Sequence, residues 1–125
     1  MKKAFEFLNT HPVPFYVATI EHGQPRVRPL SFVMEDEGEL FFITGKQKEV
    51  FLQLQENPFV EICSTVNSQT EWLRIRGEVV FVEDIDLKRK AFAVMPILEK
   101  AYQTPESEQI ALFKINIPQY KVFTF

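Results

Sequence analysis

The sequence predicts a mainly β fold with flanking helices: a small barrel of about six antiparallel strands, formed by a single domain over residues 1–125. Three observations lead there. Segments rich in β-branched and aromatic residues recur along the chain, separated by turn-forming Gly, Pro, Asn and Asp. Two of these segments contain residues that strands tolerate mainly at edges or bulges, Pro29 and Gly77. A chain of 125 residues supports one ordinary core, and so many short strands with bulge signals favour a closed sheet over an open one.

The elements follow in order. Residues 2–10 read as a short amphipathic helix with Ala4, Phe5 and Leu8 on one face, ended by His11-Pro12. "PFYVATI" (14–20) is a strand and "EHGQP" (21–25) a turn. "RVRPLSFVM" (26–34) alternates Val27 against Arg26 and Arg28, as a half-buried strand does, with Pro29 marking an edge or irregularity. "EDEG" (35–38) turns the chain into a third strand, "ELFFIT" (39–44). A helix follows whose first turn takes in Lys46 and Lys48, with Val50, Phe51 and Leu54 as its apolar face and Asn57-Pro58 as its stop. "FVEICSTV" (59–66) is the next strand, "NSQ" (67–69) a turn, and "EWLRIRGEVVFVE" (71–83) a long strand bent at Gly77. Residues 84–95 form a helix capped by Asp84 or Asp86, with Leu87, Ala91, Val94 and Met95 on one face. "PILEKAYQTPES" is loop with a helical turn, and "QIALFKINI" and "YKVFTF" are closing strands.

Composition narrows the function. A net charge of −3, with no basic run interleaved with aromatics, argues against nucleic-acid binding. No segment approaches the roughly 20 apolar residues of a membrane span. Glu6 breaks the apolar stretch a signal peptide needs, and the lone Cys63 fits a reducing compartment, so the expected location is the cytoplasm. Thirteen phenylalanines favour a β-rich core, an aromatic pocket or a buried oligomer interface.

Catalytic constellations are scarce. His11 and His22 stand beside turn residues without metal-ligand spacing, Cys63 packs as a small hydrophobe, and no phosphate-binding or nucleophile motif is present. No catalytic residue can be named. The positive charge is better organised. Arg26 and Arg28 share one face of their strand, and Thr44, Lys46 and Lys48 follow the next. If those two strands pair, they gather arginines, lysines, a hydroxyl and free helix N–H groups into one anion-binding corner. Lysine is poorly placed at a helix start unless an anion lies there. The same spacing also describes a solvated basic surface with Glu49 partly offsetting the lysines, and the residues alone leave both open.

In order and spacing, "GQPRVRPLSF", "ELFFITGKQKEVFLQLQENPFV" and "WLRIRGEVVFVED" resemble the FMN-binding split β-barrel family, across roughly residues 10–90. That family includes pyridoxamine 5′-phosphate oxidase, small flavin reductases and NimA-type nitroimidazole-resistance proteins. The resemblance implies FMN as cofactor, with Arg28, Pro29, Leu30 and Ser31 beside the isoalloxazine and ribityl chain. It places Ile43, Thr44, Lys46 and Lys48 around the phosphate. Trp72 falls where the family has a residue reaching the flavin from the partner subunit, a position a plain interface aromatic also fits.

The departures carry weight too. The vitamin B6 oxidases have a substrate lysine where this chain has Val33, and a C-terminal Arg-x-His where it ends "YKVFTF". The resemblance therefore implies a homodimeric FMN-dependent oxidoreductase that does not oxidise B6 phosphates. It would pass electrons to a small-molecule substrate such as a nitroaromatic or quinone, with no nucleic-acid or membrane partner. The alternatives are a non-catalytic flavin carrier or sensor, and a split barrel that binds haem or a deazaflavin.

Overall fold

The computed structural model describes residues 2–65 and 68–125. Its elements are α1 (Lys2–Leu8), β1 (Phe15–Glu21), β2 (Gln24–Leu30), β3 (Met34–Asp36), β4 (Glu39–Gly45), α2 (Glu49–Glu56), β5 (Phe59–Ser64), β6 (Glu71–Phe81), α3 (Ile85–Val94), α4 (Leu98–Tyr102) and β7 (Ile110–Thr124). Val66 and Asn67, which end the expected fourth strand and begin the expected turn after it, lie outside the described residues.

Local chemistry sets the two tight hairpins. His22-Gly23 joins β1 to β2 and Glu37-Gly38 joins β3 to β4, each with positive φ at both residues (51° and 77°, 49° and 79°). That is the backbone of a two-residue turn matching the right-handed twist of its strands, and glycine takes the second position without strain.

The expected strand 26–34 is in fact two elements. Residues 24–30 pair only with β1, and residues 34–36 pair only with β4. The sheet runs β2-β1-β5-β6-β7-β4-β3, which puts these two consecutive strands at opposite edges. Laid flat, six strand spacings would separate the edges by about 29 Å. The connection Ser31–Val33 lets Leu30 and Met34 lie at most about 15 Å apart. The sheet must curl until its edges approach, and because β2 and β3 do not pair, the seam stays open. This is a split barrel, and Pro29 lies in the edge strand β2, which pairs with β1 alone, a position where proline is best tolerated.

Two apolar clusters fill the fold. One lies within the curl, where Phe15, Phe42, Ile62, Leu73, Ile75 and Phe113 meet α1 and Val50 and Leu54 of α2. Phe42 lies 5.4 Å from Phe113, stacked, and 5.9 Å from Phe15, edge-on. The other lies outside the sheet, where Phe41, Ile43, Ile110 and Leu112 are covered by Phe92, Leu98 and Tyr102. β4 is therefore buried on both faces after its first residue, which explains its unbroken apolar run "LFFI". The chain's own core absorbs most of the phenylalanines, with only Phe59 and Phe125 exposed.

Several boundaries differ from expectation. α2 begins at Glu49, so Lys48 is its N-cap and Lys46 precedes it. Asp84 caps α3, accepting from the Asp86 and Leu87 N–H groups at 3.0 and 3.1 Å. The buried face of α3 carries Lys88, Ala91 and Phe92, while Val94 is exposed. Residues 98–102 are helical, and the two closing strands form one long strand.

The bulge expected at Gly77 is present, as a register shift against β7 between Arg76 and Glu78. A Cβ there would lie 2.5 Å from Ile115 Cγ2 and 3.3 Å from the Asn116 carbonyl oxygen. Gly77→Ala is expected to lower stability by about 1–3 kcal/mol through overpacking, read as a reduced denaturant midpoint. An unchanged midpoint would mean that the bulge has room to spare.

Candidate functional site

The split seam produces the site. Beside it, a cavity of about 650 Å³ is walled by Pro29 to Phe32 from the β2–β3 crossing, and by Ile43 and Thr44 from the end of β4. Lys48 at the start of α2, His11, Pro12 and Pro14 before β1, and Met95, Ile97, Leu98, Lys100, Ala101 and Tyr102 complete the wall. Among the described residues no acidic side chain lines it. Its apolar lining comes chiefly from Leu30, Phe32, Ile43, Met95, Ile97 and Leu98, and its cations are Lys48 and Lys100.

Thr44 decides what this cavity suits. The residue is 2% exposed, and its Oγ1 has no hydrogen-bond partner among the described residues. A buried hydroxyl without a partner costs about 1–3 kcal/mol, a cost that a ligand oxygen can remove. Close by in sequence, α2 begins without a side-chain cap, because lysine has no acceptor to offer its first N–H groups. Lys48 makes no ion pair among the described residues and is exposed. A buried hydroxyl, an uncapped helix start and an unpaired cation together make an acceptor-poor site whose natural occupant is an anion. The residues present fit a phosphate group.

The predicted residues are not all gathered here. Pro29, Leu30, Ser31, Ile43, Thr44 and Lys48 line the cavity. Lys46 does not: its Nζ lies 3.8 Å from Glu83 Oε1, while Lys88, buried in α3, holds Glu83 Oε2 at 3.0 Å. The Lys88 hydrogen bond is the main reason the Glu83 carboxyl stays below its usual pKa. Arg28 is also absent from the wall. Its Nη1 donates to the Val17 carbonyl at 3.2 Å and its Nη2 to Gln53 Oε1. Burial lowers the Arg28 pKa, with Glu49 and Glu21 acting against that shift. Trp72 is not among the lining residues and stacks on Phe123 at 4.5 Å, and Arg74 and Lys121 lie over the Phe123 ring. The expected pairing of the arginine segment with the β4 strand does not occur; the crossing beyond it, Pro29 to Phe32, brings the two regions together.

Sequence reasoning missed His11, Lys100 and Tyr102, which reach the cavity only through the packing of the first loop and of α4. The one available signal was the helical turn expected within 96–107, which carries Lys100 and Tyr102. A second cavity, about 490 Å³, lies by the Gly77 bulge and is lined by Ile20, Phe59 and Ile117 among others. It has no orphaned buried polar atom, so it carries no comparable signal for a small ligand. Among the described residues no group of His, Cys, Asp or Glu could hold a metal, and no helix is long and apolar enough to cross a membrane.

Comparison with known proteins accords with this architecture. The pyridoxamine 5′-phosphate oxidase family model matches residues 1–122, and the chain belongs to that family. A NimC/NimA family protein of Clostridium acetobutylicum is 34% identical with a TM-score of 0.90, over 100% of this chain and 88% of that one. The haem-storage protein HutZ of Vibrio cholerae shares the fold at 15% identity and TM-score 0.72, over 98% of this chain and 92% of that one. An FAD-binding protein of Mesorhizobium loti shares it at 18% identity and TM-score 0.66, over 97% and 91%. No curated protein matches the sequence.

The orphaned hydroxyl gives a direct test. Thr44→Val removes a buried polar group that has no hydrogen-bond partner among the described residues. The apo protein is expected to gain about 1 kcal/mol, seen as a raised midpoint in urea without ligand. A clear loss of stability would show that the Thr44 hydroxyl is already satisfied.

Proposed function

We propose that this protein binds FMN and acts as a flavin-dependent oxidoreductase on a small acceptor. The observation that carries the reading is the unpartnered, buried Thr44 hydroxyl beside Lys48 and the uncapped start of α2. On this reading the phosphate takes hydrogen bonds from Thr44 and the helix N–H groups, and charge from Lys48. The isoalloxazine and ribityl chain run along Pro29, Leu30 and Ser31. Bound FMN supplies the hydride and electron transfer. The chain binds and orients the ring, and its apolar wall keeps water from one side of it. That acid-free wall suits a planar, electron-poor acceptor such as a nitroaromatic or a quinone.

Vitamin B6 phosphates fit poorly. Val33, at the position of the oxidases' substrate lysine, is 2% exposed and packs in the inner core, so it faces no substrate. The C-terminal segment offers Lys121 over the Phe123 ring rather than an Arg-x-His pair. With FMN bound, pyridoxamine phosphate should be turned over negligibly, while a reduced nicotinamide or dithionite bleaches the flavin and a nitroaromatic or quinone restores its colour. Efficient B6 oxidation would overturn the acceptor assignment. A flavin that no acceptor reoxidises would favour a carrier or sensor, and a haem or deazaflavin spectrum from the purified protein would replace FMN altogether.

A homodimer belongs to the same proposal. The outer face carries Val27, Phe59 and Ile117 at 69%, 58% and 82% exposure, more apolar surface than a free edge of this sheet needs. A second copy there would also bring Trp72 of one chain toward the other. Light scattering is expected to give twice the chain mass, and a stable monomer with full FMN affinity would remove the dimer from the account.

The lysines divide unequally. Lys48 is unpaired at the cavity, whereas Lys46 must leave Glu83 to reach it. A hydrogen bond to a charged group contributes about 1.5–3 kcal/mol. Lys48→Ala should therefore weaken FMN by roughly 10–150-fold while riboflavin, lacking the phosphate, changes little. Lys46→Ala should have a smaller effect. Fluorescence titration of both flavins reads this, and an unchanged FMN-to-riboflavin preference without Lys48 would leave the lysine as ordinary surface.

A further inference from the structure

Gln53 is out of place by pattern. It lies on the buried face of α2 with Val50 and Leu54, and it is 2% exposed. Both of its polar side-chain atoms have partners. Oε1 accepts from Thr19 Oγ1 at 2.6 Å and from Arg28 Nη2, and Nε2 reaches Glu21 Oε2 at 3.4 Å. Arg28 continues the link through its 3.2 Å bond to the Val17 carbonyl oxygen. Thr19, Glu21 and Val17 belong to β1, Arg28 to β2 and Gln53 to α2, so five side-chain or backbone groups join three elements.

An apolar contact would hold this helix against the sheet with as much burial, but would tolerate sliding and rotation. Directional bonds to a buried amide specify one placement, since any shift leaves a buried donor or acceptor without a partner. Gln53 lies five residues beyond Lys48, about 7.5 Å along a rigid helix. Whatever fixes Gln53 also fixes where Lys48 and the first N–H groups of α2 stand against Thr44. Arg28 itself does not line the cavity.

We propose that Arg28 and Gln53 are positioning residues for the anion site: their bond clasps α2 to the β1–β2 hairpin and so sets the grip on the phosphate of the flavin. Arg28 thus acts through the helix and not by touching the flavin. The charged groups around the clasp are Glu21 on β1, Arg26 on β2, whose Nε lies 3.3 Å from Glu21 Oε1, and Glu49 on the first turn of α2.

The proposal rests on the FMN reading above, and its test separates the two. Dissociation constants for FMN and riboflavin are measured by flavin fluorescence for wild type, Arg28→Lys, Gln53→Leu and the double variant, with thermal melting of each apo protein. Arg28→Lys keeps the charge but cannot reach both acceptors. The expected result is a preference for FMN over riboflavin that falls by about tenfold in Arg28→Lys and in Gln53→Leu. The double variant should fall no further, because one clasp is broken either way. Equal weakening of both flavins would mean a merely structural role and overturn the proposal. A ratio that falls in Arg28→Lys but not in Gln53→Leu would mean direct contact and overturn it too. A wild-type protein without any FMN preference would overturn the phosphate site itself.

Discussion

The three-residue link from Ser31 to Val33 constrains everything else in this molecule. It connects strands that the sheet order places at opposite edges, so the sheet has no flat solution. Curling brings Pro29 to Phe32 against the end of β4, and the same seam, left unpaired, supplies an opening. Burial follows from closure as well. Phe15, Phe42 and Phe113 fill the inside of the curl, and the outer face of β4 and β7 is left for α3 and α4 to cover. The cavity arises where these layers meet and needs no residues specialised to build it.

Within that frame, the site departs from what stability alone would select. A helix start prefers Ser, Thr, Asp or Asn as its cap, and α2 has lysine. A buried hydroxyl prefers a partner, and Thr44 has none among the described residues. Both departures fall on one patch, and both are relieved by the same kind of ligand. Sequences that break local rules at a single place usually do so for function. Glu83 tempers the charge nearby by holding Lys46 and Lys88, while Lys48 makes no ion pair among the described residues.

Features governed by near neighbours were legible in the sequence. Gly23 and Gly38 announced turns because only short-range sterics decide them, and Gly77 announced a bulge by its missing side chain, although the crowding there comes from Ile115 and Asn116 of β7. Asp84 read as a cap because its acceptor serves N–H groups two and three residues on. Features governed by distant contacts were not legible. Ser31, Phe32 and Val33 are as strand-like as their neighbours, so nothing local reveals that pairing stops there and resumes across the barrel. α4 is too short for any periodicity to show. Gln53 drew no notice beside Val50 and Leu54, and its role depends on Thr19 and Arg28, which lie 34 and 25 residues away. At the site, Thr44 and Lys48 were readable from their adjacency to a strand end and a helix start. Arg28, which the resemblance set beside the flavin, is not among the residues that line the cavity, and its guanidinium bonds to Gln53 of α2.

The claim on which the account turns is that Thr44 awaits a ligand oxygen. The most direct measurement is a crystal structure of the protein grown with FMN. The account predicts a phosphate oxygen within hydrogen-bonding distance of Thr44 Oγ1, with Lys48 and the first N–H groups of α2 around the same group. Density for the phosphate elsewhere, with the Thr44 hydroxyl bonded to protein or left bare, would contradict it.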